Sequence, residues 1–470
     1  MKHKNSFFIR FLYSATSITI SLSLTMSVSQ AASFDALLEK SDRFEKNICQ
    51  FPIKANMLAN IAGDDKNKQK KIEWQAANTY PILSKPVLLL ICNIVAHKKK
   101  YGTNTEKELY NSMDLQTFLN RLLNDRPLAF YLKNDTYLLP DGTQGQGGFE
   151  TIGTDTEQKP LSLKKYLSYD EMPISALLGV STPTYFINKG DRFNKGAIGK
   201  QDSYQKEGVY IALVGPRFEK PNYMEWQHMV VTREQNTIEN GYGQYNKNTL
   251  LSYWAQLYGI NYFRTFEQAV QDTSNRFLKI NNIDNILLDK IIYKKRLELV
   301  LFPFLVDANR RGKISNKKAY CHVVGLGTGV WALDKNAQEQ LMLEVYEKLL
   351  NTYHFSYIAD INFSWFEKPI SHNTTLYDGA LITQANNKIK IHFSKRDPAE
   401  KLIAEDENKL LVAMYAWDGN AYPGNEYWMQ NLSGSGDPAA ACCSTIQELQ
   451  NPLINDNVSG KNSMVTNIFP

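Results

Sequence analysis

Three glycines at alternate positions, Gly325, Gly327 and Gly329, stand where an apolar run ends and an amphipathic one begins. Tyr320, Cys321, Val323 and Val324 before them read as a buried strand. Asn336 to Leu350 after them read as a helix, with Leu341, Val345, Leu349 and Leu350 at helical spacing. A strand-end loop that glycine leaves uncrowded can turn its N–H groups toward one point and hold a phosphate. Gly325, Gly327, Thr328, Gly329, Val330 and Trp331 are the candidates for that chemistry. Two common nucleotide motifs do not fit. A P-loop ends in Gly-Lys-Ser/Thr, whereas Gly329 is followed by Val330 and Trp331. A dinucleotide fingerprint needs its third glycine one residue later than Gly329. The same pattern also suits an ordinary strand-end turn of an α/β domain.

A second apolar run, LLVAMYA at 410–416, leads into WDGNAYPGNEYW at 417–428. Asp418, Asn420, Asn425 and Glu426 are hydrogen-bonding groups of a length that suits ribose hydroxyls, and Gly424 keeps the backbone free between them. Tyr422, Tyr427 and Trp428 could flank a base or a sugar. An Asx-rich turn with aromatics packed beneath it is the other reading. SGSGDPAAA at 433–441 opens a last helix, with Asp437 expected as N-cap and Pro438 at the first helical position. Its glycine-serine start could accept an anion, although capping alone explains it. A third strand-end cluster is GPRFE at 215–219 with MEW at 224–226. Here Arg217 could contact phosphate, or pair structurally with Glu219 or Glu225.

The elements that must position these residues alternate. Ser33 to about Pro127 reads as mainly helical, and 134–160, rich in Gly, Thr, Gln and Asp, reads as a long loop. From Gly208 onward strands and helices alternate, beginning with GVYIALVG at 208–215. Asp284 to Arg310 is expected to be helical, with Pro303 kinking or ending it, and Thr374 to Phe393 forms a hairpin around Asn386 and Asn387. Such alternation predicts an α/β layered domain on a mostly parallel sheet, with ligands at the carboxyl ends of its strands. The expected division is a leader at 1–32, a helical region at 33–200, an α/β domain at 208–455 and a tail at 456–470.

Lys2, Lys4 and Arg10 precede the charge-free stretch Phe11–Val28, and Ser29 to Ala32 supply small residues for cleavage. This is the pattern of a secretion signal. No later segment has the 18 or so apolar residues of a membrane span, so no membrane association is expected after cleavage. The leader carries three of the five net positive charges, leaving about +2, too nearly balanced for nucleic-acid binding. No C-x-x-C or H-x-x-x-H occurs among five cysteines and seven histidines, so no metal site is expected. Cys49 and Cys92 could pair after export, and Cys321, Cys442 and Cys443 read as packing residues.

The strand, the G-x-G-x-G-V-W loop, the amphipathic helix and the second apolar strand that runs to Phe363 together resemble the diphosphate loop of macrodomains. Asp418, Gly419, Asn420, Gly424 and Asn425 resemble that family's Asn-containing loop. The likeness covers about 208–455 and is strongest to divergent macrodomain effectors secreted by Legionella-type bacteria, which share the Met-Glu-Trp and Gly-Asn-Glu-Tyr-Trp features. It implies a three-layer α/β/α domain with a mixed sheet. Because the Asn loop here follows the diphosphate loop, it also implies a permuted order. The implied ligand is ADP-ribose or an ADP-ribosylated protein, in a host cell for the effectors, with no cofactor. The implied reaction is ADP-ribosyl hydrolysis. In it the N–H groups of Gly327 to Val330 hold the diphosphate, and Asp418, then Glu426 or Asp334, activates water or orients the ribose. Asn420 and Asn425 orient the hydroxyls, and Trp331 closes over the sugar. Asp334 could equally cap a helix. A non-catalytic ADP-ribose reader and a secreted interaction protein are the alternatives.

Overall fold

The computed structural model describes residues 32–280, 285–367 and 374–467. The secretion-signal expectation falls almost wholly on 1–31, outside the described residues. A nine-stranded sheet forms the spine. From one edge to the other its strands are Leu381–Gln384, Asn387–Ser394, Ile358–Ser364, Ala319–Val323, Leu410–Ala416, Glu207–Leu213, Gly179–Tyr185, Tyr80–Ser84 and Met464–Thr466. The five strands from Asn387–Ser394 to Glu207–Leu213 run parallel. Antiparallel pairs flank them on both sides, so the sheet is mixed. The central strands are buried along almost their whole length, as expected where helices cover both faces.

Side-chain alternation identifies the two faces. Ser181 lies opposite Ile211 in the register and donates to Asp307 on the helix Lys290–Ser315. Tyr210, one residue away and so on the other face, stacks edge-on to Tyr415, whose hydroxyl donates to Gln450 at 2.6 Å. Lys290–Ser315 and Lys335–Thr352 therefore cover one face, and Gly436–Cys443 with Ile446–Leu449 the other. Pro303 neither ends nor divides the first of these helices, which runs unbroken from its Asp289 cap. Burial of Val300 to Leu305 against the sheet outweighs the single backbone bond that proline removes.

Two expectations about organisation change. Helices fill much of 33–124, but the stretch 33–200 also supplies Tyr80–Ser84 and Gly179–Tyr185 to the common sheet, and 456–470 supplies Met464–Thr466. The sheet thus runs across both expected boundaries. The 134–160 segment is not a plain loop. Thr136–Leu138 pairs with Ala129–Tyr131 on one side and with Gln144–Gln146 on the other in a small antiparallel sheet. All five cysteines, Cys49 and Cys92 among them, are free thiols.

The N-terminal strand is tied to the long helix by a buried polar knot. Asp307 accepts from Tyr80 Oη at 2.6 Å and Ser181 Oγ at 2.5 Å, with Arg311 Nε at 3.4 Å. Asp307→Ala removes the carboxylate facing the buried Arg311 and the acceptor of two buried hydroxyls. It is expected to cost about 3–5 kcal/mol, read as a lowered urea midpoint; an unchanged midpoint would contradict this account of the knot.

Candidate functional site

Three neighbouring parallel strands, Ala319–Val323, Leu410–Ala416 and Glu207–Leu213, end at the same edge, and their following loops meet there. Gly215 and Gly327 make the closest approach. A Cβ on Gly215 would fall 2.1 Å from Gly327 N, and one on Gly327, at φ +67°, 2.6 Å from Pro216 O. Only glycine permits both the contact and the left-handed backbone. Phe218 N–H donates to Trp331 O at 3.3 Å, fastening the two loops further along.

The glycine loop is gripped from behind by Gln338, a wholly buried residue of the helix Lys335–Thr352. Its Oε1 accepts from Leu333 N at 2.8 Å and Asp334 N at 3.1 Å, and its Nε2 donates to Gly327 O at 3.2 Å. Among the described residues, no N–H from Gly327 to Val330 donates to a protein acceptor. Gly329 has open space around it and Val330 is 85% exposed. Thr328 is buried, its hydroxyl beside Gly325. The Asp334 carboxylate accepts from Ala337 N at 3.0 Å and caps the helix, the second of the two uses open to it in the sequence.

On the 417–428 loop the structure gathers carboxyl groups. Asp418 accepts from Asn425 Nδ2. Asn425 is itself held by both backbone groups of Phe130, whose N–H donates to Oδ1 at 2.7 Å and whose carbonyl accepts from Nδ2 at 3.1 Å. Asp437 is fully buried and is not the N-cap, which is Ser435. Its carboxylate turns to the loop instead, accepting from Gly424 N at 2.7 Å and Asp418 N at 3.2 Å. Glu426 Oε2 is buried without a partner. Asn420 is buried, its amide nitrogen 3.8 Å from Met224 Sδ.

Burial and mutual repulsion shift these acids upward. Desolvation, offset by the Asn425 hydrogen bond and Arg217, brings Asp418 to about 6. Desolvation and then the Asp418 charge bring Glu426 to about 8. Desolvation with Asp418 and Glu426 raises Asp437 well above the carboxylate range. At neutral pH Asp418 is largely ionised while Glu426 and Asp437 keep their protons, the separation that an acid and a base need in one site.

Arg217 borders the cluster but is only 2% exposed. Its Nη2 donates to Leu132 O, Glu219 Oε2 and Asp135 Oδ1 at 3.0, 3.1 and 3.3 Å, while its N–H donates to Glu225. The guanidinium lies 4.8 Å from the Phe130 ring and 5.7 Å from Trp331. The Arg217–Glu219 ion pair is present, whereas the Glu225 carboxylate pairs with Arg296 and takes only the backbone N–H of Arg217; Nε and Nη1 have no acceptor. Sequence reasoning missed Gln338, Asp135 and the loop-facing role of Asp437. Asp437 had a signal, its place on a glycine-serine loop, which capping masked. Among the described residues no group of three or more His, Cys, Asp or Glu could hold a metal ion. A cavity of about 420 Å³, lined by Asn222, Gln235 and Tyr242 among others, meets the three loops only at Asn222, far along the loop that follows Glu207–Leu213.

Residues 35–468 match the model of a family described as ADP-ribosylhydrolase MavL-like. Two Drosophila melanogaster proteins named ADP-ribosylarginine hydrolase are similar along most of their length. CG3568 is 38% identical over 84% of this chain and 79% of its own, and CG2909 is 37% identical over 82% and 78%.

Because its folded pKa is raised, Glu426 binds a proton in the native state that the unfolded chain gives up near pH 4. Its contribution therefore erodes stability as pH rises through about 8. Buried His228 and His322, held neutral down to about 3 and 4, act oppositely below about pH 6.5, so the window for this effect is above 7. Tm of the wild type is expected to fall more steeply from pH 7 to 9 than that of Glu426→Gln. Parallel Tm curves would count against a protonated Glu426.

Proposed function

Since the chain belongs to the MavL-like ADP-ribosylhydrolase family, we propose that it removes ADP-ribose from ADP-ribosylated protein, with arginine as the modified residue. The names of the two fly relatives support the arginine linkage. The observation that carries the reading is the juxtaposition of a strand-end loop with free N–H groups and a carboxyl cluster whose members hold different protonation states. That pairing suits a substrate with a diphosphate at one end and a glycosidic bond to break at the other.

In this reading the diphosphate lies against Gly327 to Val330, as on a macrodomain loop, and Trp331 borders the distal ribose. Water adds to the anomeric carbon and gives its proton to the Asp418 carboxylate. The carbon–nitrogen bond breaks with its electron pair leaving on the guanidine nitrogen, which takes the Glu426 proton. The developing oxocarbenium charge favours an ionised Asp418 close by. Asn425 orients Asp418, and Arg217 braces the loop through Nη2, leaving its Nε and Nη1 without a protein acceptor. Lys2, Lys4 and Arg10 before an uncharged stretch support export of the enzyme, which fractionation of cells making the full chain would test.

Asp418→Asn and Glu426→Gln are each expected to lower kcat for ADP-ribose release from an ADP-ribosylarginine protein by about 10²–10⁴-fold. Gly329→Trp is expected to leave Tm within about 2 °C, since nothing surrounds Gly329, while raising KM at least about tenfold. Tight ADP-ribose binding with no release by the wild type would make the protein a reader and sink the hydrolase assignment.

A further inference from the structure

Arg126 is 1% exposed and, among the described residues, has no carboxylate within ion-pair distance. Its Nε donates to Leu122 O at 2.7 Å and its Nη2 to Ser175 Oγ at 3.3 Å. The guanidinium carbon sits 4.4 Å from the centre of the Trp417 ring. Ser175 Oγ in turn donates to Gly419 O at 3.1 Å. Both residues flanking Asp418 are thus reached from one cation, Trp417 through its ring face and Gly419 through Ser175.

The surroundings make this a costly arrangement. An unpaired buried cation is strongly disfavoured, and an apolar side chain would fill the same space without that cost. Burial pushes Arg126 down to about 9, with only the Tyr422 and Tyr415 hydroxyls nearby to offset it. The neighbouring backbone joins the same cradle. Pro127 O accepts from Tyr422 N at 3.1 Å and Asn124 O from Tyr422 Oη at 2.7 Å. The segment 124–127 therefore underlies the loop from Trp417 to Tyr422, and the arginine is its fixing point.

Resting on the hydrolase reading above, we propose that Arg126 is a positioning residue for Asp418. It clamps Trp417 and, through Ser175, Gly419, so that the carboxylate between them is presented at a fixed place. It touches no substrate. Displacing a reacting group by about 1 Å is enough to cost on the order of 10²-fold in rate.

The test compares Arg126→Met, Arg126→Lys and Ser175→Ala with the wild type. Three quantities are read on each folded protein: kcat for ADP-ribose release, Kd for ADP-ribose, and amide exchange at Asp418 and Gly424. Arg126→Met is expected to lower kcat about 10–100-fold with Kd within about threefold, and to speed exchange at those two amides at least about tenfold while the Leu410–Ala416 strand is unaffected. Arg126→Lys, which keeps a cation over Trp417, recovers part of the loss. Ser175→Ala shows the same pattern more weakly, and carries the test alone if Arg126→Met does not fold. Adding Ser175→Ala to Arg126→Met costs little more, because both act along one path. Unchanged kcat and unchanged loop exchange in folded variants would overturn the proposal. Absence of release by the wild type would overturn the hydrolase reading instead, and the exchange measurement would still decide whether Arg126 holds the loop.

Discussion

Asp437 takes the N–H of Gly424 on one oxygen and the N–H of Asp418 on the other, closing the loop that carries Asp418, Asn425 and Glu426. That clasp requires a third carboxyl group to be buried beside two others, and like charges so close in a poorly solvated place cannot all ionise. Retained protons resolve the conflict. Burial and the neighbouring charges raise both Asp437 and Glu426, and Asp418 is left as the group most readily ionised because Asn425 and Arg217 favour its charge. The same constraint that closes the loop therefore produces a carboxylate and a carboxylic acid side by side. The proposed division of labour between a base and an acid rests on that packing.

The sheet explains why this loop meets the glycine loop. Leu410–Ala416 lies between Ala319–Val323 and Glu207–Leu213, so a carboxyl loop, a glycine loop and the Arg217 loop leave adjacent strands at one edge. Residues distant in sequence then complete the site. Phe130 grips Asn425, Leu132 and Asp135 hold Arg217, and segment 124–127 supports Trp417 to Tyr422. Since Tyr80–Ser84 and Gly179–Tyr185 are strands of the same sheet, the N-terminal region is part of the scaffold that sets the chemistry.

What was legible in the sequence was what repeats locally. Apolar runs ending in glycine marked the strand ends at Val323 and Ala416, and helical spacing from Asn336 to Leu350 marked the helix that follows. The α/β class followed from alternation. What was not legible depended on distant partners. Nothing near Asp437 in sequence says that Asp418 and Gly424 will come to it, and its position before Pro438 is what a helix cap requires. The 134–160 segment has loop composition because its strands are three residues long and the outer one, Gln144–Gln146, is polar and exposed, so neither carries an alternating apolar pattern to read. Pro303 looked like a helix breaker because local propensity carries no information about a helix buried along the sheet.

The most direct test of this account is the structure of the protein with ADP-ribose bound. The account predicts the diphosphate against the N–H groups of Gly327 to Val330 and the distal ribose with its anomeric carbon facing Asp418 and Glu426. Finding the ligand instead in the cavity lined by Asn222, Gln235 and Tyr242, with the carboxyl cluster empty of sugar, would contradict it.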